Sequence, residues 1–479
     1  MSTTETAATP AAKLTFWTMT AMVVGSMVGA GVFSLPARFA QETGIAGALV
    51  AWAIAGGGML MLAFVFQTLA NRKPDLDSGV YAYAKAGFGE YIGFFSAFGY
   101  WASACVGNVT YWVLVMSTLG AIWPALGDGD TFLALMLSTA GVWLFYYLIR
   151  RGAREAASLN RIVTVAKVVP ILIFVLLALF ALDPDVFAAN WGGDGDVGSL
   201  FEQVRGTMLV TVFVFLGVEG ASVYSRHAQQ REHVGRATVL GFVSVASVFA
   251  SVTIVSYGIM PYSEIAHLRQ PSMAGVLETA VGPWGKILVS VGLIVSVLGA
   301  YLAWTLMAAE VLFVAAKDDD MPRFLRAANA ADVPTASLLM STILVQVMLI
   351  VAMFSGDAFG FTLDLTSALT LLPFLFAAGY ALKLALTGET YAGNPRGRGR
   401  EIVVGALATI YTVFLLFAAG PKFILLSFVI YAPATILFVM ARREQGRRLF
   451  SPAEIVILAI SVVGAVVGVA ALATGALTI

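Results

Sequence analysis

Residues 23–33 read VVGSMVGAGVF, and residues 213–222 read FVFLGVEGAS. Both stretches lie inside long apolar runs, yet each carries glycines where a helix should continue. Glycine weakens a helix interior by about 0.5–1 kcal/mol relative to alanine. The second stretch adds a carboxylate, Glu219, well inside its run. A charged group at bilayer depth costs several kcal/mol unless it pairs or faces a cavity, so it marks a functional position.

The rest of the chain supplies the context. It has 479 residues, of which 59% are apolar and 12% charged. Soluble domains carry roughly 25% charged residues, so this surface cannot face water on all sides. Apolar runs of membrane-spanning length fall near residues 14–37, 46–70, 91–122, 131–149, 160–182, 203–225, 237–260, 285–316, 335–355, 359–386, 402–419, 422–441 and 453–477. Runs of about 20 apolar residues read as transmembrane helices, so the fold class is all-α and polytopic. The AAGPK stretch at 418–422 is so short that a reentrant hairpin competes with two separate spans there.

Charge placement orients the bundle. With the polar tail 1–13 uncleaved and in the cytoplasm, all but five of the 28 Lys and Arg residues assign to cytoplasmic loops; the five are Arg38, Arg205, Arg269, Lys286 and Lys422. The positive-inside rule then favours this orientation, with the C-terminus outside if there are thirteen spans. The membrane is expected to be the cytoplasmic one.

Several chemistries lack their residues. Cys105 is the single cysteine, and His227, His233 and His267 fall in predicted loops, so neither a metal site nor paired haem ligands are expected. No Gly-Lys-Ser/Thr phosphate loop is present, and no cofactor or nucleic-acid partner is expected. A redox-driven proton-pump subunit would want carboxylate–lysine pairs along a path, whereas the buried ionisable residues here cluster near two breaks. A channel is disfavoured because midplane breaks suit a closed ligand site.

Glycine-interrupted spans at corresponding positions of two halves point to a transporter's binding site, although glycines also serve close helix packing. Other polar positions then become candidates. Lys167 lies about seven residues into the fifth run and either snorkels to the surface or supplies a fixed interior charge. Trp304 lies mid-run in the eighth, where its ring face would attract a cation. Asn108 sits mid-run in the third, with helix–helix hydrogen bonding as its alternative role. Asp364, Thr366 and Ser367 make the first half of the tenth run polar, and that carboxylate would favour cationic ligands.

The stretches VVGSMVGAGVFSLP (23–36), KPDLDSGVYAYAKAGFGEYIGFFSAFGYW (73–101), FVFLGVEGASVYSR (213–226) and AWTLMAAEVLFVAAKDDDMP (303–322) resemble the amino acid–polyamine–organocation superfamily of carriers. Within it they are similar to the basic amino acid/polyamine antiporter family, namely bacterial arginine/ornithine antiporters and lysine permeases. The resemblance covers nearly the whole chain. It implies a LeuT-like fold of two inverted five-helix repeats, 14–182 and 203–386, followed by extra C-terminal spans over 402–479. It also implies a backbone cradle: N–H groups of Gly29, Ala30 and Gly31 for a substrate carboxylate, and carbonyls of Met27, Phe213 and Leu216 for its ammonium. Asn108, Trp304 and a hydroxyl of Thr366 or Ser367 would meet the side-chain end. Glu219 would gate, and Lys167 would occupy the place that a sodium ion takes elsewhere. Agmatine exchangers carry Trp where Phe213 stands and Ser where Ala30 stands, which turns the expectation toward amino acids. The reading is a carrier, not an enzyme: an antiporter of cationic amino acids, arginine against ornithine, working by alternating access. The alternative is a lysine permease or exchanger, with or without proton coupling. A homodimer is also expected, since many members of the superfamily are dimers.

Overall fold

A computed structural model describes residues 15–76, 79–152, 156–193, 197–219, 231–393 and 396–479, without the side chains of 156–166 and 231–234. The N-terminal tail, His227 and the part of the sixth run beyond Glu219 lie outside the described residues. In chain order the helices are α1 (Phe16–Met27), α2 (Leu35–Ala40), α3 (Ile45–Arg72), α4 (Val80–Phe88), α5 (Glu90–Gly120), α6 (Phe132–Arg150), α7 (Ala156–Phe180), α8 (Pro184–Ala189) and α9 (Leu200–Phe215). They continue with α10 (Arg231–Ser256), α11 (Tyr262–Ala266), α12 (Ser272–Val281), α13 (Pro283–Lys317), α14 (Thr335–Ala352), α15 (Ala358–Thr387), α16 (Arg398–Glu444) and α17 (Pro452–Ala473). No strand is present among the described residues beyond one isolated bridge, Ala328 to Pro334. The protein is an all-α polytopic membrane protein.

Helix starts follow from local chemistry. Thr131 caps α6 by accepting from the Ala134 N–H, and Asp357 caps α15 through the Gly360 N–H. Ser199 with Glu202, and Ser451 with Glu454, form capping boxes that satisfy the first free amides of α9 and α17. Among the described residues the apolar runs are mostly helical, and nine helices are long and apolar enough to cross a membrane. The pair α1 and α2, bent by 50°, makes a tenth. His233 lies in the first turn of α10 rather than in a loop, because the polar lead of that helix extends beyond its apolar run.

The runs 402–419 and 422–441 share one helix, α16, of 47 residues. A straight helix of that length would measure about 70 Å, over twice the hydrocarbon thickness. It turns at Gly420 (φ 69°, ψ 174°), a backbone state that glycine permits, directly before Pro421.

At the centre stands α5, buried along almost its whole length, which membrane helices reach only when protein surrounds them. It packs on α4, α13, α14 and α15, while α1 packs on α10, and α3 on α9 and α16. By contrast, α17 presents Val456, Ile460, Val463 and Val466 outward, as a lipid-facing helix must.

Candidate functional site

The first helix stops where the glycines begin. α1 ends at Met27, Val28 turns extended (φ −72°, ψ 99°), and a 3₁₀ turn over Gly31–Ser34 leads into α2. Gly31 therefore opens the resumed turn, and the interruption proper is Val28–Ala30. Among the described residues, the N–H groups of Gly29, Ala30 and Gly31 meet no acceptor, and the Met27 carbonyl meets no donor. Orphan donors at the start of a half-helix, aided by its partial positive charge, suit a carboxylate.

The second break mirrors it. α9 ends at Phe215, Leu216 leaves the helix (φ −56°, ψ 134°), and Gly217 is left-handed (φ 104°). The two breaks touch. The Ser26 hydroxyl donates to the Val23 and Gly217 carbonyls at 2.8 and 3.1 Å, and a β-carbon on Gly217 would collide with the Ser26 carbonyl. Glycine at 217 thus answers both the positive φ and the close approach of two backbones.

Between the breaks lies a cavity lined by residues of both. α1 and its break contribute Ser26, Met27, Gly29, Ala30 and Gly31 to the wall, and α9 contributes Phe213, Val214 and Leu216. Ser103, Ala104, Gly107 and Tyr111 enter from one face of α5, at helical spacing, while Trp304 comes from α13 and Thr366 from α15. None of these side chains is charged, so a cationic ligand would meet aromatic faces and backbone carbonyls.

Two residues expected at the cavity are turned away from it. The Asn108 amide nitrogen donates to Thr305 at 3.1 Å across the α5–α13 interface. The Ser367 hydroxyl donates to the Leu209 carbonyl at 2.7 Å, bridging α15 to α9. In both cases the helix face points at a neighbouring helix, and of the neighbours Thr366 and Ser367 it is Thr366 that reaches the cavity.

The charges surround the cavity instead of lining it. Glu219 is buried just beyond the second break: Tyr100 of α5 donates to Oε1 at 2.5 Å, and the Gly217 N–H donates to Oε2 at 3.1 Å. Asp364 does not offer an unpaired carboxylate to a ligand. Arg38 of α2 grips it through both oxygens at 3.0 and 2.9 Å and lies 3.7 Å from Asp357. Toward the opposite end of the bundle, Lys85 of α4 pairs with Asp320 at 2.6 Å, and Tyr81 donates to Asp318 at 2.8 Å. Lys167 is buried on α7 rather than snorkelled to the surface, and it does not line the cavity.

Nothing in the sequence alone singles out Tyr100, Tyr111 or Arg38 as neighbours of the site. The two tyrosines share the helical face defined by Ser103, Ala104 and Gly107; Arg38, 326 residues from its partner, has no local signal.

Residues 14–441 match the sequence profile of the amino acid permease family. The chain is 50% identical to the arginine/ornithine antiporter of Pseudomonas aeruginosa, over 98% of each chain. It is 41% identical to the L-lysine transport protein of Corynebacterium glutamicum, over 96% of this chain and 95% of that one. It is 32% identical to the arginine/ornithine antiporter of Latilactobacillus sakei, over 98% and 99%.

Proposed function

The chain belongs to the amino acid permease family, and from that premise we propose that it exchanges cationic amino acids, arginine against ornithine, across the cytoplasmic membrane. The observation that carries this reading is the cavity between two facing helix breaks. The first break holds the free N–H donors of Gly29, Ala30 and Gly31 together with the Met27 carbonyl, and the second holds the Leu216 carbonyl, while the Phe213 carbonyl expected beside it already accepts the Leu216 N–H at 3.3 Å. A zwitterionic backbone matches that polarity. Trp304 would cover the cationic end, with Thr366 beside it and Asn108 and Ser367 holding the helices that carry them.

Residues 14–182 and 203–386 would form two inverted repeats that rock about this site, with the C-terminal spans outside them. The N-terminus would be cytoplasmic, which puts Arg38–Asp364 at the outer end and Lys85–Asp320 at the inner end. Glu219 would gate through Tyr100, Asp364 would act through Arg38, and Lys167 would supply a fixed interior charge.

Counterflow tests the reading. Proteoliposomes loaded with arginine should take up labelled ornithine or arginine, empty ones should not, and a pH gradient should change little. Lysine uptake into empty vesicles, driven by a pH gradient, would replace this reading with a lysine permease.

A further inference from the structure

We propose that Tyr111 is a specificity residue whose hydroxyl reads the substrate's carboxylate, separating amino acids from their decarboxylated amines. The inference rests on the exchange reading above and adds a side chain to its backbone cradle.

Four hydroxyl groups stand on the cavity wall, and three of them are committed. Ser26 donates to the Val23 and Gly217 carbonyls, Ser103 to the Tyr100 carbonyl at 2.8 Å, and Thr366 to the Thr362 carbonyl at 2.7 Å. Each has one proton, and each spends it on backbone. Among the described residues the Tyr111 hydroxyl has no hydrogen-bond partner, so its proton is available to a ligand. Tyr111 lines the cavity, where a ligand can accept that proton.

Position decides which end of the ligand it meets. A β-carbon built on Gly29 would lie 3.4 Å from the Tyr111 hydroxyl oxygen, so the phenol stands over the middle of the break. The free N–H groups of Gly29, Ala30 and Gly31 begin there, and a carboxylate held by them would accept from the phenol as well. The ring is held in place: it is 6% exposed, on the buried helix α5, and meets Phe213 edge-on with centroids 6.5 Å apart. An amine that lacks the carboxylate would leave both the phenol and the amides unpaired. Sites built to bond a group reject analogues lacking it far more strongly than apolar pockets reject a missing methylene.

The test uses full-length carrier in proteoliposomes, with exchange of labelled arginine inhibited by unlabelled arginine or by agmatine. Tyr111→Phe keeps the ring and removes the hydroxyl, and an unchanged unfolding temperature and monodisperse elution verify the fold. Loss of a charge-assisted hydrogen bond should weaken arginine inhibition by about tenfold or more. Agmatine inhibition should stay within about twofold of wild type, so the gap between the two ligands narrows. Equal weakening of both ligands, or no weakening of arginine, overturns the inference while leaving the exchange function standing. A wild type that exchanges no cationic amino acid would overturn the function and this inference together.

Discussion

The Tyr100 hydroxyl donates to the Glu219 carboxylate at 2.5 Å, joining the central helix α5 to the residue just past the second helix break. The other carboxylate oxygen accepts the Gly217 N–H at 3.1 Å. One buried side chain therefore bridges a rigid helix and a backbone that has lost its helical bonds. Motion of the break must change this bridge.

Glu219→Gln separates charge from shape. The amide oxygen can still accept from Tyr100, but the NH₂ group faces the Gly217 N–H, donor against donor. We expect the exchange rate to fall at least tenfold, with a destabilisation of about 1–3 kcal/mol. Rates in proteoliposomes and unfolding in detergent measure the two effects. Wild-type exchange in this variant would show that the carboxylate does not gate.

Gly31→Ala tests the packing of the first break. The added methyl would lie 2.6 Å from Val214 Cγ1 and 2.7 Å from Phe213 Cδ1. Overpacking of this kind costs about 1–3 kcal/mol. A lowered unfolding temperature is expected, and an unchanged one would mean that α9 yields without strain.

Trp304→Leu removes the aromatic face assigned to the substrate's cation. A desolvated cation–π contact is worth about 2 kcal/mol, so arginine affinity should drop roughly 30-fold with the fold intact. Unchanged exchange kinetics would move the cation elsewhere in the cavity.

Arg38 and Asp364 are 15% and 16% exposed, so removing Arg38 leaves the Asp364 carboxylate nearly buried without its partner. Arg38→Ala should destabilise the protein by about 3 kcal/mol, and Arg38→Met with Asp364→Leu should recover most of that. If the pair closes the outer end, the double variant should be stable yet exchange abnormally. Normal exchange would make the pair purely structural.

Asp320 gives a pH signature outside the membrane-spanning segments. Burial pushes its carboxyl up to about 6, and Lys85 only partly offsets this. One oxygen pairs with Lys85 while the other is buried without a partner. The folded value lies above the unfolded value of about 3.9, so the folded state binds this proton more tightly. This group's contribution to stability is largest below about pH 4 and declines as the pH rises through about 6. Asp320→Asn should flatten the unfolding temperature between about pH 4 and 6, and a wild-type slope in that variant would place the titration elsewhere.

The sequence by itself determined the all-α membrane architecture, because hydropathy and capping are local and recur every 20 residues or so. It also located both helix breaks, since Gly29, Gly31 and Gly217 interrupt runs that would otherwise be continuous. What it could not contain was the reason for each glycine. Gly217 has a positive φ, whereas Gly31 is needed because the side chains of α9 approach its backbone. Nor could it tell Thr366, on the cavity wall, from adjacent Ser367, spent on Leu209. Adjacent helical residues point about 100° apart, and only the position of the neighbouring helices decides which one faces space. Asp364 read locally as an acidic lure for cations; its neutraliser, Arg38, arrives from 326 residues away. Local composition sets where a chain is helical and where it breaks, but partnership between distant side chains exists only once the helices have packed.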